Sequence, residues 1–170
     1  MVYISRASLR APRSHGFYRF FAWEAILALI LLNAEYWFRD PFSLYQVISW
    51  ILLMASAFLV MHAVHLLRRI GKPNGQRSDN GAAIGFEKTT QLVVVGAYKY
   101  IRHPMYSSLL FLAWGVFFKD LSWWSAILAL AATVFLVATA KAEEAENIRF
   151  FGTYYQAYIK QTKMFIPFLF

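Results

Sequence analysis

Four stretches of the chain are almost continuously apolar, and the polar residues gather between them. They run from about Phe20 to Phe38, Ser43 to Leu67, Met105 to Phe118, and Trp123 to about Ala140. A helix needs ~20 residues to cross ~30 Å of hydrocarbon at ~1.5 Å per residue, and the first two stretches meet that length. Arg39, Asp40 and Pro41 interrupt the pattern between them, which predicts an antiparallel hairpin with a very short loop. The third stretch is shorter, ~21 Å as a helix, with His103 and Pro104 available to extend it. Lys119 and Asp120 mark a tight turn before the fourth, and Trp123 and Trp124 are placed as interfacial anchors. The fourth helix is expected to continue into the charged stretch from Lys141 to Arg149.

Two polar regions complete the pattern. Residues 1–19 carry Arg6, Arg10, Arg13 and Arg19 and no acid, and read as a basic N-terminal tail. Residues 68–104 form a loop and interfacial segment between the two apolar hairpins, 20–67 and 105–140. Within it, Gly71 to Gly85 contains GKPNGQRSDNG, a composition of turn formers. The expected fold class is all-α: a polytopic integral membrane protein with about four transmembrane helices, an interfacial segment and a C-terminal cytoplasmic helix.

Composition strengthens the membrane reading. Of 170 residues, 59% are hydrophobic, above the roughly 45–50% of soluble domains. The chain has no cysteine, which excludes disulfides, thiolate metal sites and cysteine nucleophiles; no metal is expected. The net charge of +8 sits on residues flanking the apolar stretches, as suits anionic headgroups, and argues against a nucleic acid partner. The two short loops hold only Arg39 and Lys119. The long loop holds Arg68, Arg69, Lys72, Arg77, Lys88, Lys99 and Arg102, and the C-terminal tail Lys141, Arg149, Lys160 and Lys163. Positive residues mark the inner face, so both termini are expected in the cytoplasm. Oligomeric state is left open.

Candidate chemistry lies in two clusters. Arg102-His103-Pro104-Met105-Tyr106 sits where the long loop enters the third apolar stretch, with Pro104 suited to the first helical turn. Glu143, Glu144 and Glu146 follow the fourth. Lys141 and Arg149 leave one of these acids unpaired, which invites an organic cation. Because neighbours on a helix point apart, Glu143 and Glu144 are not expected to face one way. An antiparallel hairpin brings its two ends together, so the two clusters should meet in one polar site at the membrane interface. Glu24, Asn33, Glu35, His62 and His65 lie within or near the first two stretches and are read as structural or interfacial.

The ordered set of motifs resembles the isoprenylcysteine carboxyl methyltransferases and related membrane methyltransferases. It comprises Leu92-Val93, Gly96-Ala97-Tyr98, the RHPMY run, an apolar hairpin, Glu143-Glu144, Phe151-Gly152, Tyr155, Tyr158 and Phe165-Ile166-Pro167. The likeness covers residues 86–167. It implies S-adenosylmethionine as cofactor, with Leu92, Val93, Tyr98, His103, Pro104, Met105, Tyr106 and Glu143 binding it. It also points to Arg102, His103 and Glu144 as catalytic candidates. The implied acceptor is lipophilic, a carboxylate or amine of a lipid-like or prenylated molecule entering from the bilayer. One departure bears on the acceptor. Eukaryotic prenylcysteine enzymes carry an Arg one turn before the Glu pair, where this chain reads Val137-Ala138-Thr139. Two rival readings stand beside methyl transfer. One is an NADPH-dependent reductase of the sterol-reductase type, which has a similar RHPxY element. The other is a membrane scaffold without catalytic activity.

Overall fold

The computed structural model describes residues 15–72 and 89–169. The basic tail as far as residue 14 and most of the long loop, including Arg77, Gly85 and Lys88, lie outside the described residues. The described residues form five α-helices: α1 (His15–Leu32), α2 (Leu44–Arg69), α3 (Pro104–Phe117), α4 (Trp123–Phe151) and α5 (Thr153–Gln161). No strand occurs among them. The protein is an integral membrane protein: α1, α2 and α4 are long and apolar enough to span, and α3 is a shorter apolar helix. The expectation of about four spans is thus met by three long helices and one of 14 residues.

The helices pack in two tight pairs, α1 against α4 and α2 against α3, and the α3–α4 hairpin joins them. Small residues make the close approach possible, because lipid supplies no hydrophobic force between helices and packing must supply the attraction. Ala22 and Ala25 of α1 and Ala129 and Ala132 of α4 are all buried. On α2, Ser49 Oγ donates to Gly115 O and Ser56 Oγ to Ser108 O, each at 2.7 Å. A Cβ on Gly115 would lie 3.1 Å from Leu53, so a larger residue there would push α2 and α3 apart. The outer stripe of α2, Ile51, Met54, Phe58 and Met61, is exposed and apolar, as a lipid-facing surface should be.

The first connection differs from expectation. α1 stops at Leu32, six residues before the apolar run ends at Phe38, and residues 33–43 form a longer link with a 3-10 turn at Ala34–Tyr36. Asn33 ends the helix on a fixed site: its Nδ2 donates to Val116 O at 3.3 Å and its Oδ1 accepts from Ser125 Oγ at 3.1 Å. Those bonds pin α1 to the α3–α4 hairpin, leaving Trp37 and Phe38 to the interface. Lys119 is a second correction. Read as an ordinary turn residue, it is 6% exposed and its Nζ donates to Gln46 Oε1 at 2.9 Å.

α4 is the longest helix. Its 29 residues extend ~44 Å at ~1.5 Å each, beyond the ~30 Å of hydrocarbon. The last turns therefore project past the membrane and carry Glu143 to Arg149 clear of lipid. Gly152 ends α4 at φ +61° with open space around it, a left-handed conformation that glycine adopts without strain, and the chain turns there into α5.

Candidate functional site

Residues 89–103, α5 and the chain after it fold over the ends of α2, α3 and α4. The segment after α5 lies alongside Tyr100–His103. Lys163 N donates to Tyr100 O at 3.0 Å, Arg102 N to Lys163 O at 2.8 Å and His103 N to Met164 O at 3.2 Å. Ser107 Oγ adds a bond to Phe165 O at 2.8 Å. Pro104 is buried at the first position of α3, where its missing N–H is not needed. These bonds hold the Arg102–Tyr106 run rigidly on both sides.

The two candidate clusters meet, as the hairpin requires. Arg102 Nε donates to Glu144 Oε1 at 2.6 Å. His103 Nε2 lies 3.3 Å from the same oxygen, and its Nδ1 4.0 Å from Glu143 Oε2. The imidazole thus stands between the two carboxylates, stacked on Tyr106 with centroids 5.5 Å apart. The Tyr106 hydroxyl donates to Glu143. Arg102 Nη1 donates to the carbonyls of Ile159 and Thr162. Its Nη2 has no partner among the described residues.

A cavity holding about 70 Å³ of water-accessible space sits beside this cluster and opens outward. Leu92, Val93 and Tyr98 line it from the loop, Arg102, His103, Met105 and Tyr106 from the start of α3, and Glu143 from α4. Of the residues given a catalytic or cofactor-binding role in the sequence, Pro104 and Glu144 do not line it. Pro104 sets the helix start, and Glu144 sits behind His103. Glu143 and Glu144 thus diverge as adjacent helical residues should, yet both reach the His103 ring. Their partners are not the ones expected: Lys141 and Arg149 stand exposed, and Arg102 and His103 take their place.

Other lining residues carried no assigned role in the sequence. Asn147 and Phe151 join Glu143 on the cavity wall, at the i, i+4, i+8 spacing that one helix face dictates; that periodicity was the available signal. Tyr155 and Tyr158 close the outer side from α5. Tyr158 donates to Tyr98 O at 2.6 Å, and burial pushes both phenols well above their ordinary range. The residues of the first hairpin behave as structural elements. His62 Nε2 accepts from Ala97 N at 3.4 Å, Asn33 caps α1, and Glu35 and His65 are exposed. His15 is the exception: it comes from α1 and pairs with Glu146 at 2.6 Å, a contact for which the sequence holds no cue.

A family profile described as phospholipid methyltransferase matches residues 44–153, from the start of α2 to the turn after α4. A methanethiol S-methyltransferase of Pseudomonas deceptionensis is 31% identical over 70 residues, which cover 41% of this chain and 26% of that relative. The chain therefore matches only about a quarter of that relative's length. No solved structure matches the chain.

Proposed function

The chain belongs to the phospholipid methyltransferase family, and from that premise we propose that it moves a methyl group from S-adenosylmethionine to a lipophilic acceptor reaching the site from the bilayer. Membership in a methyltransferase family favours methyl transfer over the reductase and scaffold readings. The observation that carries the donor assignment is the charge arrangement of the cavity wall. Glu143 faces the cavity with its side chain 29% exposed, and Arg102 lines the same space with Nη2 unpartnered among the described residues. A zwitterionic amino-acid group with a nearby sulfonium needs such a pair, one anion and one guanidinium edge. Leu92, Val93 and Met105 supply an apolar wall for an adenine, and the Tyr98 and Tyr106 rings stand beside it. The residues fit the cofactor.

When bound, S-adenosylmethionine supplies an electrophilic methyl carbon on a positively charged sulfur. The protein's own part is positioning, exclusion of water and disposal of a proton. Glu143 opposes the positive charge, and the segment after α5 holds the Arg102–His103 backbone in place. Thr139, one turn before the Glu pair, is fully buried and donates its hydroxyl to Phe135 O at 2.7 Å. That turn offers no anchor to an acceptor carboxylate, which favours an acceptor that sheds a proton, an amine first. His103 takes that proton. Arg102 holds Glu144, and Glu144 in turn fixes the His103 ring, a positioning role rather than direct contact with substrate. The site end carries Arg68, Arg69, Lys72 and Lys99 and the far end only Arg39 and Lys119, so the site and the C-terminus face the cytoplasm.

The test is calorimetric binding of S-adenosylhomocysteine to detergent-purified protein, followed by incubation with labelled S-adenosylmethionine and total membrane lipid. Micromolar binding, weakened in Tyr106→Ala, and a labelled lipid are expected. No measurable binding by the unaltered protein would reject the donor assignment. Binding without any labelled lipid would reject the lipophilic acceptor.

A further inference from the structure

The short third helix sets how deep the cap over the site lies. At the far end, Lys119 Nζ donates to Gln46 Oε1 at 2.9 Å, which puts the end of α3 and the first turn of α2 at one level. α3 has 14 residues, ~21 Å, and so falls ~9 Å short of crossing ~30 Å of hydrocarbon. His62 stands ~24 Å along α2 from Gln46, still inside that thickness. Its Nε2 accepts from Ala97 N at 3.4 Å, and a Cβ on Gly96 would lie 2.6 Å from the same nitrogen. The 3-10 turn Gly96–Lys99 therefore packs beside α2 at hydrocarbon depth, nearer the membrane centre than Arg68 and Arg69.

We propose that the outward face of the cap, formed by Val94, Val95, Tyr100, Phe168 and Leu169, is inserted in the leaflet on the site's side, with Lys99 and Lys163 at its edge reaching the headgroup phosphates. Three observations carry it. First, all five apolar side chains are exposed, and they make one surface: the Tyr100 and Phe168 rings lie 6.3 Å apart, and Lys163 N donates to Tyr100 O. Second, that surface continues the lipid-facing stripe of α2. Phe58 stacks on His62 at 5.7 Å, and His62 holds the turn that follows Val95. Third, backbone at this depth cannot turn to water and must find partners within the protein. Tyr98 N donates to Val95 O at 3.2 Å, Tyr100 N and Ile101 N to Ala97 O at 3.1 Å, and the imidazole of His62 meets Ala97 N. Lys99 and Lys163 are exposed beside the patch, where a lysine lays its stem along apolar surface and sends its ammonium group to the phosphates. The inference needs only the spanning helices and the packing of the cap, so it stands apart from the donor assignment.

The chain has no cysteine, so single cysteines can carry a nitroxide label one at a time. The full-length protein is placed in nanodiscs of phosphatidylcholine and phosphatidylglycerol and labelled in Val95→Cys or Phe168→Cys. Met54→Cys, on the exposed stripe of α2, is the lipid reference, and Arg149→Cys, on the projecting end of α4, is the water reference. Power saturation compares collisions with oxygen, which concentrates in lipid, and with a nickel chelate, which stays in water. The oxygen-to-nickel ratio should be several-fold higher at Val95 and Phe168 than at Arg149, on the side of Met54. Ratios as low as that at Arg149 overturn the proposal. Protection from both reagents overturns it too, since a protein, such as a second copy of the chain, would then cover the patch. Val94→Cys and Leu169→Cys, on the same face, replace either variant that fails to fold.

Discussion

The two ends of the helical bundle both bury polar side chains, and they use them in opposite ways. At the far end, Lys119 Nζ is enclosed by Gln46 Oε1 at 2.9 Å, Trp37 O at 3.3 Å and the face of Trp50 at 3.8 Å from its centroid. Its three protons are all engaged, and Asn33 and Ser125 satisfy one another nearby. Burial lowers the affinity of Lys119 for its proton, and the aromatic face and carbonyls offset part of that cost. At the site end, Arg102 and Glu144 are enclosed in the same manner, but Glu143 and the outer edge of Arg102 border a cavity. A polar group satisfied on every side holds a fold together. One held rigidly but left facing open space is placed for a ligand.

The largest expected effect tests the site end's framework. Arg102→Ala leaves Glu144 and two carbonyls without their donor, and breaking a buried pair from one side costs about 3–5 kcal/mol. Thermal unfolding in detergent should fall sharply and cofactor binding should vanish with it. Glu143→Gln should separate the two properties. The loss of one charge-assisted contact, about 1.5–3 kcal/mol, corresponds to roughly 10–100-fold weaker S-adenosylmethionine binding, with the unfolding temperature unchanged. Equal losses of stability and binding would erase the distinction between framework and ligand-facing groups.

Lys119→Met is the mirror image. It leaves the Gln46 oxygen unpaired, an effect of about 1–3 kcal/mol on stability, and should leave cofactor affinity as in the wild type. A change in affinity would show that the two ends are coupled. The smallest effect concerns pH. Tyr155 and Tyr158 have phenols pushed up by burial, so the unfolded chain loses these protons first as pH passes about 10. Their contribution is complete below that value and is lost as pH climbs toward the raised folded values. The denaturant midpoint should therefore decline above about pH 10, less steeply in Tyr158→Phe, which also forgoes the bond to Tyr98, about 1 kcal/mol.

Much of the site was legible because it lies on regular elements. The apolar runs locate α2, α3 and α4 to within a few residues, and the hairpin between α3 and α4 obliges His103 to meet the glutamates forty residues later. Helical spacing from Glu143 reaches Asn147 and Phe151. The contacts of His15, Lys119 and the segment after α5 were not legible. Each depends on a partner far away in the chain: 131 residues for His15 and Glu146, 73 for Lys119 and Gln46, 58 for Ser107 and Phe165.

The sequence by itself determined that the chain enters a bilayer, how its last two apolar helices pair and which polar clusters that pairing joins. Those properties follow from hydrophobic length and helical period, which are local. Only the tertiary structure decided which glutamate faces the cavity, where α1 ends and which lysine is buried. Those outcomes follow from helix–helix packing, where one small residue or one distant donor determines which polar group is satisfied and which is left open.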